Sequence, residues 1–252
     1  MSSHPPFDLR ASIALRRRAA FLAVLGGACV IGALAMVFFY VPTESTMGIM
    51  QRIYYIHIPT AWIGELAFGI MALCSLGYLL LRDDRLDAIA LSAAETGFVF
   101  WLATLAAGPL WARLAWGSWW VWDARLSFSM LLALIWGGYF LVRSWAEDRE
   151  SGKRLAAVVA LVGAIDVPVI HMSVYWFRTQ HPMPVMMNPE GPSADFEIGM
   201  TIMASVFAFT ILFFGLLLYR YSYERLKSRV ELLAAARAER NALRSTSTGA
   251  YG

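Results

Sequence analysis

Charge is scarce in this chain. Asp, Glu, Lys and Arg make up 15% of its 252 residues, against about 25% in an ordinary soluble domain. Hydrophobic residues make up 59%, so the composition departs from the soluble class in the membrane direction. Cysteine is scarcer still. Cys29 and Cys74 both lie within apolar runs, with no C-x-x-C, C-x-x-C-H or zinc spacing. That excludes thiol–disulfide exchange, a structural zinc site and thioether attachment of a cofactor. No polar connection is long enough to fold as a separate soluble domain, so a single membrane bundle is expected.

What is abundant is continuous apolar sequence. Six stretches reach or approach the roughly 20 residues needed to cross a bilayer. They are Ala19–Val41, Ile58–Leu81, Ala88–Leu110, Leu126–Val142, Leu155–Trp176 and Ile198–Tyr219. Their continuity argues for helices, since barrel strands alternate over about ten residues. The first run follows Arg16, Arg17 and Arg18 and ends at Val41-Pro42-Thr43-Glu44 without a small-x-small cleavage site. It is longer than a signal-peptide core of about 7–15 residues, so it reads as a spanning helix. The expected fold is an all-α membrane protein built as a six-transmembrane-helix bundle.

Basic residues orient that bundle. Seventeen of the 21 Lys and Arg residues fall in the N-terminal arm, the second and fourth connections and the C-terminal tail. Lys and Arg in short loops mark the cytoplasmic side, so both termini are expected there. Residues 1–18 then form a cytoplasmic arm, 19–220 the six-helix membrane domain and 221–252 a cytoplasmic tail. The tail reads as helical from Tyr221 to Arg244 and disordered over the final Ser-Thr-Ser-Thr-Gly. Topology and anionic lipid account for the basic runs, and no nucleic-acid partner is needed.

The opposite side holds only Arg52, Arg113, Arg125 and Arg178, yet it collects the chemistry. Trp116, Trp119, Trp120 and Trp122 crowd into seven residues ending before Asp123, in a segment of about residues 113–126. A single Trp there would be read as an interfacial anchor. Four of them suggest more: on a helix, Trp116, Trp119, Trp120 and Asp123 share one face. Such a shelf suits a large planar ligand, which stacks on indole at little entropic cost.

Three of the four histidines lie on the same side; His4 lies in the opposite arm. His57 opens the second span and His181 follows the fifth, at similar depth. Neutral imidazole is a common axial ligand of haem iron, and a pair can fill both axial positions. His171, placed deeper, reads as a hydrogen-bonding or packing residue, with ligation as its alternative. Arg52 and Arg125 suit the propionates of such a ligand, since guanidinium pairs well with carboxylate. Arg113 and Arg178 read equally well as interfacial cations. Three acids, Glu65, Glu95 and Asp166, fall inside spans, where a carboxylate usually has a partner or a role. They read best as protonated, hydrogen-bonded acids.

Trp116-Gly-Ser-Trp-Trp-Val-Trp-Asp-Ala-Arg-Leu126 resembles the tryptophan-rich WWD motif of haem-handling membrane proteins. With six spans, Tyr55-Ile-His57-Ile-Pro59 upstream and Ile170-His171-Met-Ser-Val-Tyr-Trp176 downstream, the chain resembles the CcmC family. CcmF and CcsA share the motif but are longer, with more spans. The resemblance covers about residues 52–189 and more loosely the whole chain. It implies haem b, bound without a covalent link through two histidines matching His57 and His181, with the WWD segment against the porphyrin. It also implies functional positions for Arg52, Asp123 and Arg125. The implied role is in a bacterial inner membrane: periplasmic presentation of haem to the chaperone CcmE, with the CcmAB transporter and CcmD as partners. A haem-transfer scaffold rather than a conventional enzyme is expected.

Two features depart from the family pattern. The loop after His181 is rich in Met and Pro (Met183, Pro184, Met186, Met187, Pro189), which admits a Met as a competing soft ligand. Glu65, Glu95 and Asp166 also lie outside that pattern. The rival reading is a proton-coupled small-molecule transporter with the histidines and buried acids as its relay. A third reading is a structural subunit of a membrane complex, indifferent to both histidines.

Overall fold

The computed structural model describes residues 9–43, 45, 47–177, 179–182 and 194–249. The described residues form helices and connections, with no strand. In chain order the α-helices are α1 (Leu9–Phe39), α2 (Tyr54–Leu81), α3 (Asp84–Trp116), α4 (Ala124–Trp145), α5 (Arg149–Ala164), α6 (Asp166–Trp176) and α7 (Phe196–Gly249). A 3-10 turn, Ile49–Ile53, leads into α2. Six helical segments are long and apolar enough to cross a membrane, with α5 and α6 together making the fifth.

That fifth span is interrupted where the sequence suggests one continuous run. Pro168, in the first turn of α6, lacks the N–H that would bond the Ala164 carbonyl, so the ladder breaks at Ile165. The C-terminal tail is helical over residues 221–244 as expected, and the helix also takes in the Ser-Thr-Ser-Thr-Gly segment expected to be disordered. α7 continues unbroken from the sixth span through Gly249, because Ala-, Leu-, Arg- and Glu-rich residues 231–244 are good helix formers that propagate an existing helix.

Lipid tails are as apolar as leucine, so close packing and polar contacts must hold such helices together. α1 and α7 meet at glycines: a Cβ on Gly26 would strike the Leu212 backbone, and one on Gly215 the Ala23 backbone. Arg16 donates to the Tyr219 hydroxyl (2.8 Å) between the same two helices. The central core gathers Phe68, Trp101, Leu132, Trp136 and Phe213 from α2, α3, α4 and α7. Phe68 meets Trp136 edge-on at 5.0 Å, and the Trp101 indole donates to the Ser129 carbonyl at 3.2 Å.

Aspartates start three helices by accepting backbone N–H bonds: Asp83 for α3, Asp123 for α4 and Asp148 for α5. The end with the α2–α3 and α4–α5 turns carries a lattice of ion pairs. Arg143 grips Asp87 through both guanidinium nitrogens (2.6 and 2.9 Å). Lys153 bonds Asp84, and Arg220 bridges Glu95 and Glu224. Glu95, an isolated membrane acid by sequence, therefore has a cationic partner.

Candidate functional site

The other end carries the α1–α2, α3–α4 and α6–α7 connections. His57 lies in the first turn of α2, placed by contacts with α3. Three residues on, Thr60 receives a hydrogen bond from Thr104 of α3 (2.9 Å), locking the two helices in register. Four residues beyond Thr104 comes Gly108, and the His57 ring rests on it. A Cβ there would stand 3.3 Å from His57 Cε1 and 3.9 Å from Nδ1. Glycine thus provides the space the imidazole occupies. His57 Nδ1 is buried and has no hydrogen-bond partner among the described residues.

The Trp segment departs from the helical shelf expected of it. Gly117 takes a left-handed conformation (φ 77°) and ends α3, while Asp123 caps α4. Residues 117–123 are consequently a loop with no helical face. Trp116 closes α3 and meets Trp111 edge-on (4.9 Å), and Trp111 in turn lies 5.4 Å from Tyr54 of α2. Trp120 and Trp122 form a second edge-on pair at 5.7 Å. Trp119 lies beneath the Arg113 guanidinium. Trp119 and Trp122 are 56% and 77% exposed, so each leaves indole surface uncovered by the described residues. Tyr54 and Trp111 are additions that the sequence did not single out.

Asp123 has two tasks. One carboxylate oxygen accepts from Leu126 N (2.9 Å) and caps α4; the other accepts from Gln180 N (3.0 Å). The second bond fixes the residue next to His181. The His181 ring donates from Nδ1 to the Pro182 carbonyl (2.9 Å), leaving Nε2 as the lone-pair nitrogen. Burial pushes its pKa down to about 3, helped by the charges of Arg125 and His57 and opposed by the Pro182 carbonyl. A ring so placed is a neutral, ligation-competent imidazole.

Arg125 stands among these groups, its charge acting on both His57 and His181. Glu65, Asp123 and Tyr175 are its own ionisable neighbours. Its Nη1 is buried with no hydrogen-bond partner among the described residues. Arg52 is placed differently: it donates to the Val37 carbonyl and lies over the Phe38 ring (5.3 Å), both on α1. His171 meets Glu65 through Nε2 and Oε2 at 2.6 Å. Asp166 is buried, with Oδ2 unpartnered among the described residues. Arg178, Met183, Pro184, Met186, Met187, Pro189 and His4 lie outside the described residues.

A model of the family described as heme exporter protein C matches residues 8–236. The chain belongs to the heme exporter protein C family. Heme exporter protein C of Bradyrhizobium diazoefficiens is 36% identical over 204 residues, covering 81% of this chain and 78% of that protein. The Haemophilus influenzae protein of the same name is 31% identical, covering 75% of this chain and 76% of its own length. A putative cytochrome c biosynthesis ccmC-like mitochondrial protein of Marchantia polymorpha is 32% identical, covering 69% and 74%. Membership and six apolar helices together make this heme exporter family chain a multi-pass membrane protein.

The residues present suit haem. Among the described residues, His57 Nδ1 and Arg125 Nη1 are buried without a hydrogen-bond partner, His181 keeps Nε2 as its lone-pair nitrogen, and Trp119 and Trp122 of the neighbouring loop are exposed.

Proposed function

We propose that this chain binds haem b without a covalent link at the periplasmic face of a bacterial inner membrane and hands it to the chaperone CcmE. His57 and His181 are the axial ligands, Arg125 receives a propionate, and the Trp116–Trp122 segment lies against the macrocycle. CcmAB and CcmD are the accompanying partners, and both termini are cytoplasmic. The observation that carries this reading is the convergence of His57 and His181 on Arg125, each with an open ring nitrogen.

Bound haem would supply an iron at which His57 and His181 could exchange as ligands. The chain's residues do the rest by position. Gly108 leaves room for His57, Asp123 holds the loop of His181, and Arg125 offers an unused donor. No nucleophile or general acid is required, so the chain acts as a transfer scaffold. The transporter reading loses ground because two of its three relay acids are engaged, Glu95 with Arg220 and Glu65 with His171.

The test is an optical spectrum of detergent-purified protein beside His57→Ala and His181→Ala. The expected result is a low-spin Soret band in the parent that is altered in each variant. Haem absent under every haem-replete condition, or an unchanged spectrum in both variants, would overturn the assignment.

A further inference from the structure

We propose that the charged cavity at the end of the bundle opposite His57 is a binding site for a phosphate group, with the headgroup of an anionic phospholipid as the source its depth favours. The site shares no residue with the haem reading above and stands independently of it.

The cavity has a volume of about 310 Å³ and is lined from four helices. That is the lower end of the range for small-molecule sites, about 300–1,000 Å³, so a headgroup-sized ligand fits. Its walls follow from helical spacing. Glu224, Lys227 and Glu231 recur at i, i+3 and i+7 on α7, and Arg149 and Lys153 at i and i+4 on α5. Each helix therefore turns one charged face to the same space. Arg143, in the last turn of α4, adds a fourth cation, and Leu91 of α3 an apolar wall. Four cations against two acids leave the lining with an excess of positive charge.

These charges divide into a floor and a mouth. Arg143 is engaged by Asp87 through two bonds (2.6 and 2.9 Å), Lys153 by Asp84, and Glu224 by Arg220 (2.6 Å). The Arg143 and Lys153 side chains are only 15% and 12% exposed, so they form a fixed cationic floor. At the mouth, Lys227 is exposed and makes no ion pair with any described residue. Arg149 pairs with Glu231, but both side chains are about half exposed. An exposed pair of this kind is weak, and a phosphate, which accepts two parallel bonds from a guanidinium, can replace the carboxylate. A phosphate at the mouth thus meets one donor from α5 and one from α7, above two further cations.

Depth selects the source. Arg143 stands one residue beyond the apolar run that ends at Val142, and Lys153 two residues before the run that begins at Leu155. The cavity therefore opens at the bilayer boundary, on the side marked by the excess of Lys and Arg. Basic pockets between spanning helices at that level suit anionic headgroups. Free phosphate offers the same oxygens without acyl chains to hold it there.

The test follows melting of the delipidated full chain in detergent while dioleoylphosphatidylglycerol, dioleoylphosphatidylcholine or inorganic phosphate is titrated. Phosphatidylglycerol is expected to raise the melting temperature saturably at concentrations where phosphatidylcholine does not. Lys227→Gln and Arg149→Gln should each weaken its apparent affinity roughly threefold to tenfold, and Glu231→Gln, which releases Arg149, should tighten it. Arg237→Gln and Glu239→Gln make the same charge changes farther along α7, at exposed positions outside the cavity, and should leave the affinity unmoved. Parent-like melting without lipid confirms that each variant folds. Saturable protection by inorganic phosphate, lost in the same two variants, supports the phosphate site and assigns it a soluble source. The proposal is overturned by equal affinity in the parent, Lys227→Gln and Arg149→Gln, by an equal loss in Arg237→Gln, or by a parent that neither phosphate probe protects.

Discussion

Asp123 accepts a hydrogen bond from the backbone N–H of Gln180 at 3.0 Å, across 57 residues of sequence. That single bond connects the Trp-rich loop to the segment carrying His181. The same carboxylate caps α4 through Leu126 N, so the start of that helix, Arg125 within its first turn and the His181 loop share one anchor. An acid at the end of a Trp run has a physical reason beyond charge: it needs two acceptor oxygens for two backbone donors.

The two tasks of Asp123 are separable by substitution. Asp123→Ala removes both and should cost about 1 kcal/mol of stability through the lost cap, together with low-spin haem binding. Asp123→Ser retains a capping hydroxyl but is too short to reach Gln180. It should recover most of the thermal stability, measured by melting in detergent, while the spectrum still reports a displaced His181. Parent-like haem binding in Asp123→Ser would show that the loop needs no tether.

Gly108 gives a prediction in which stability and binding move oppositely. Alanine within a helix is favoured over glycine by roughly 0.5–1 kcal/mol, so Gly108→Ala should not destabilise α3 by backbone effects. Its Cβ would nevertheless press on His57 Cε1 at 3.3 Å. Gly108→Ala should therefore fold well and bind haem several-fold more weakly, and Gly108→Val should abolish low-spin binding. Titration of the apoprotein with haem reads both effects. Equal affinity in the valine variant would show that His57 does not use this space.

The six spans were legible because lipid imposes a length of about 20 apolar residues that nothing else in a small protein demands. The two histidines were legible because span ends fix their depth. The break at Ile165 was signalled only by Pro168, inside a run whose continuous apolarity argued for one helix. The Trp segment was misread as helical through its i, i+3, i+4, i+7 spacing. Gly117 and Asp123, a left-handed terminator and an N-cap, carried the correct message. Glu65 and His171 stand 106 residues apart, and no local pattern pairs them. Gly108 likewise reads as a plain helical glycine until the ring above it is seen.

Arg52 and Arg125, alike by sequence, are predicted to differ in kind. Arg52 binds the Val37 carbonyl and the Phe38 ring, joining the start of α2 to the end of α1. Arg52→Ala should lower thermal stability by about 1–3 kcal/mol and leave the preference for haem over its dimethyl ester intact. Arg125→Ala should do the reverse, losing the preference with a smaller change in melting. Parallel melting curves and probe titrations distinguish the two. A loss of preference in Arg52→Ala would return that residue to the ligand.

His181 makes the ligand-free protein sensitive to acid in a definite direction. Its folded-state pKa lies near 3, below the ordinary 6.5, because burial and then the Arg125 charge disfavour the imidazolium. Between those values the unfolded chain takes up a proton that the folded chain refuses, so acidification favours unfolding. The stability associated with the neutral ring is intact above about pH 6.5 and declines as the pH falls toward about 3. Melting temperature should drop between about pH 7 and about pH 5, and His181→Gln should flatten that slope. Equal slopes in parent and variant would count against the burial of this ring. Ligation should behave differently from stability across the same window. With Nδ1 donating to Pro182, the Nε2 lone pair stays open while the ring is neutral, so haem affinity should hold steady in the range where the apoprotein is already losing stability.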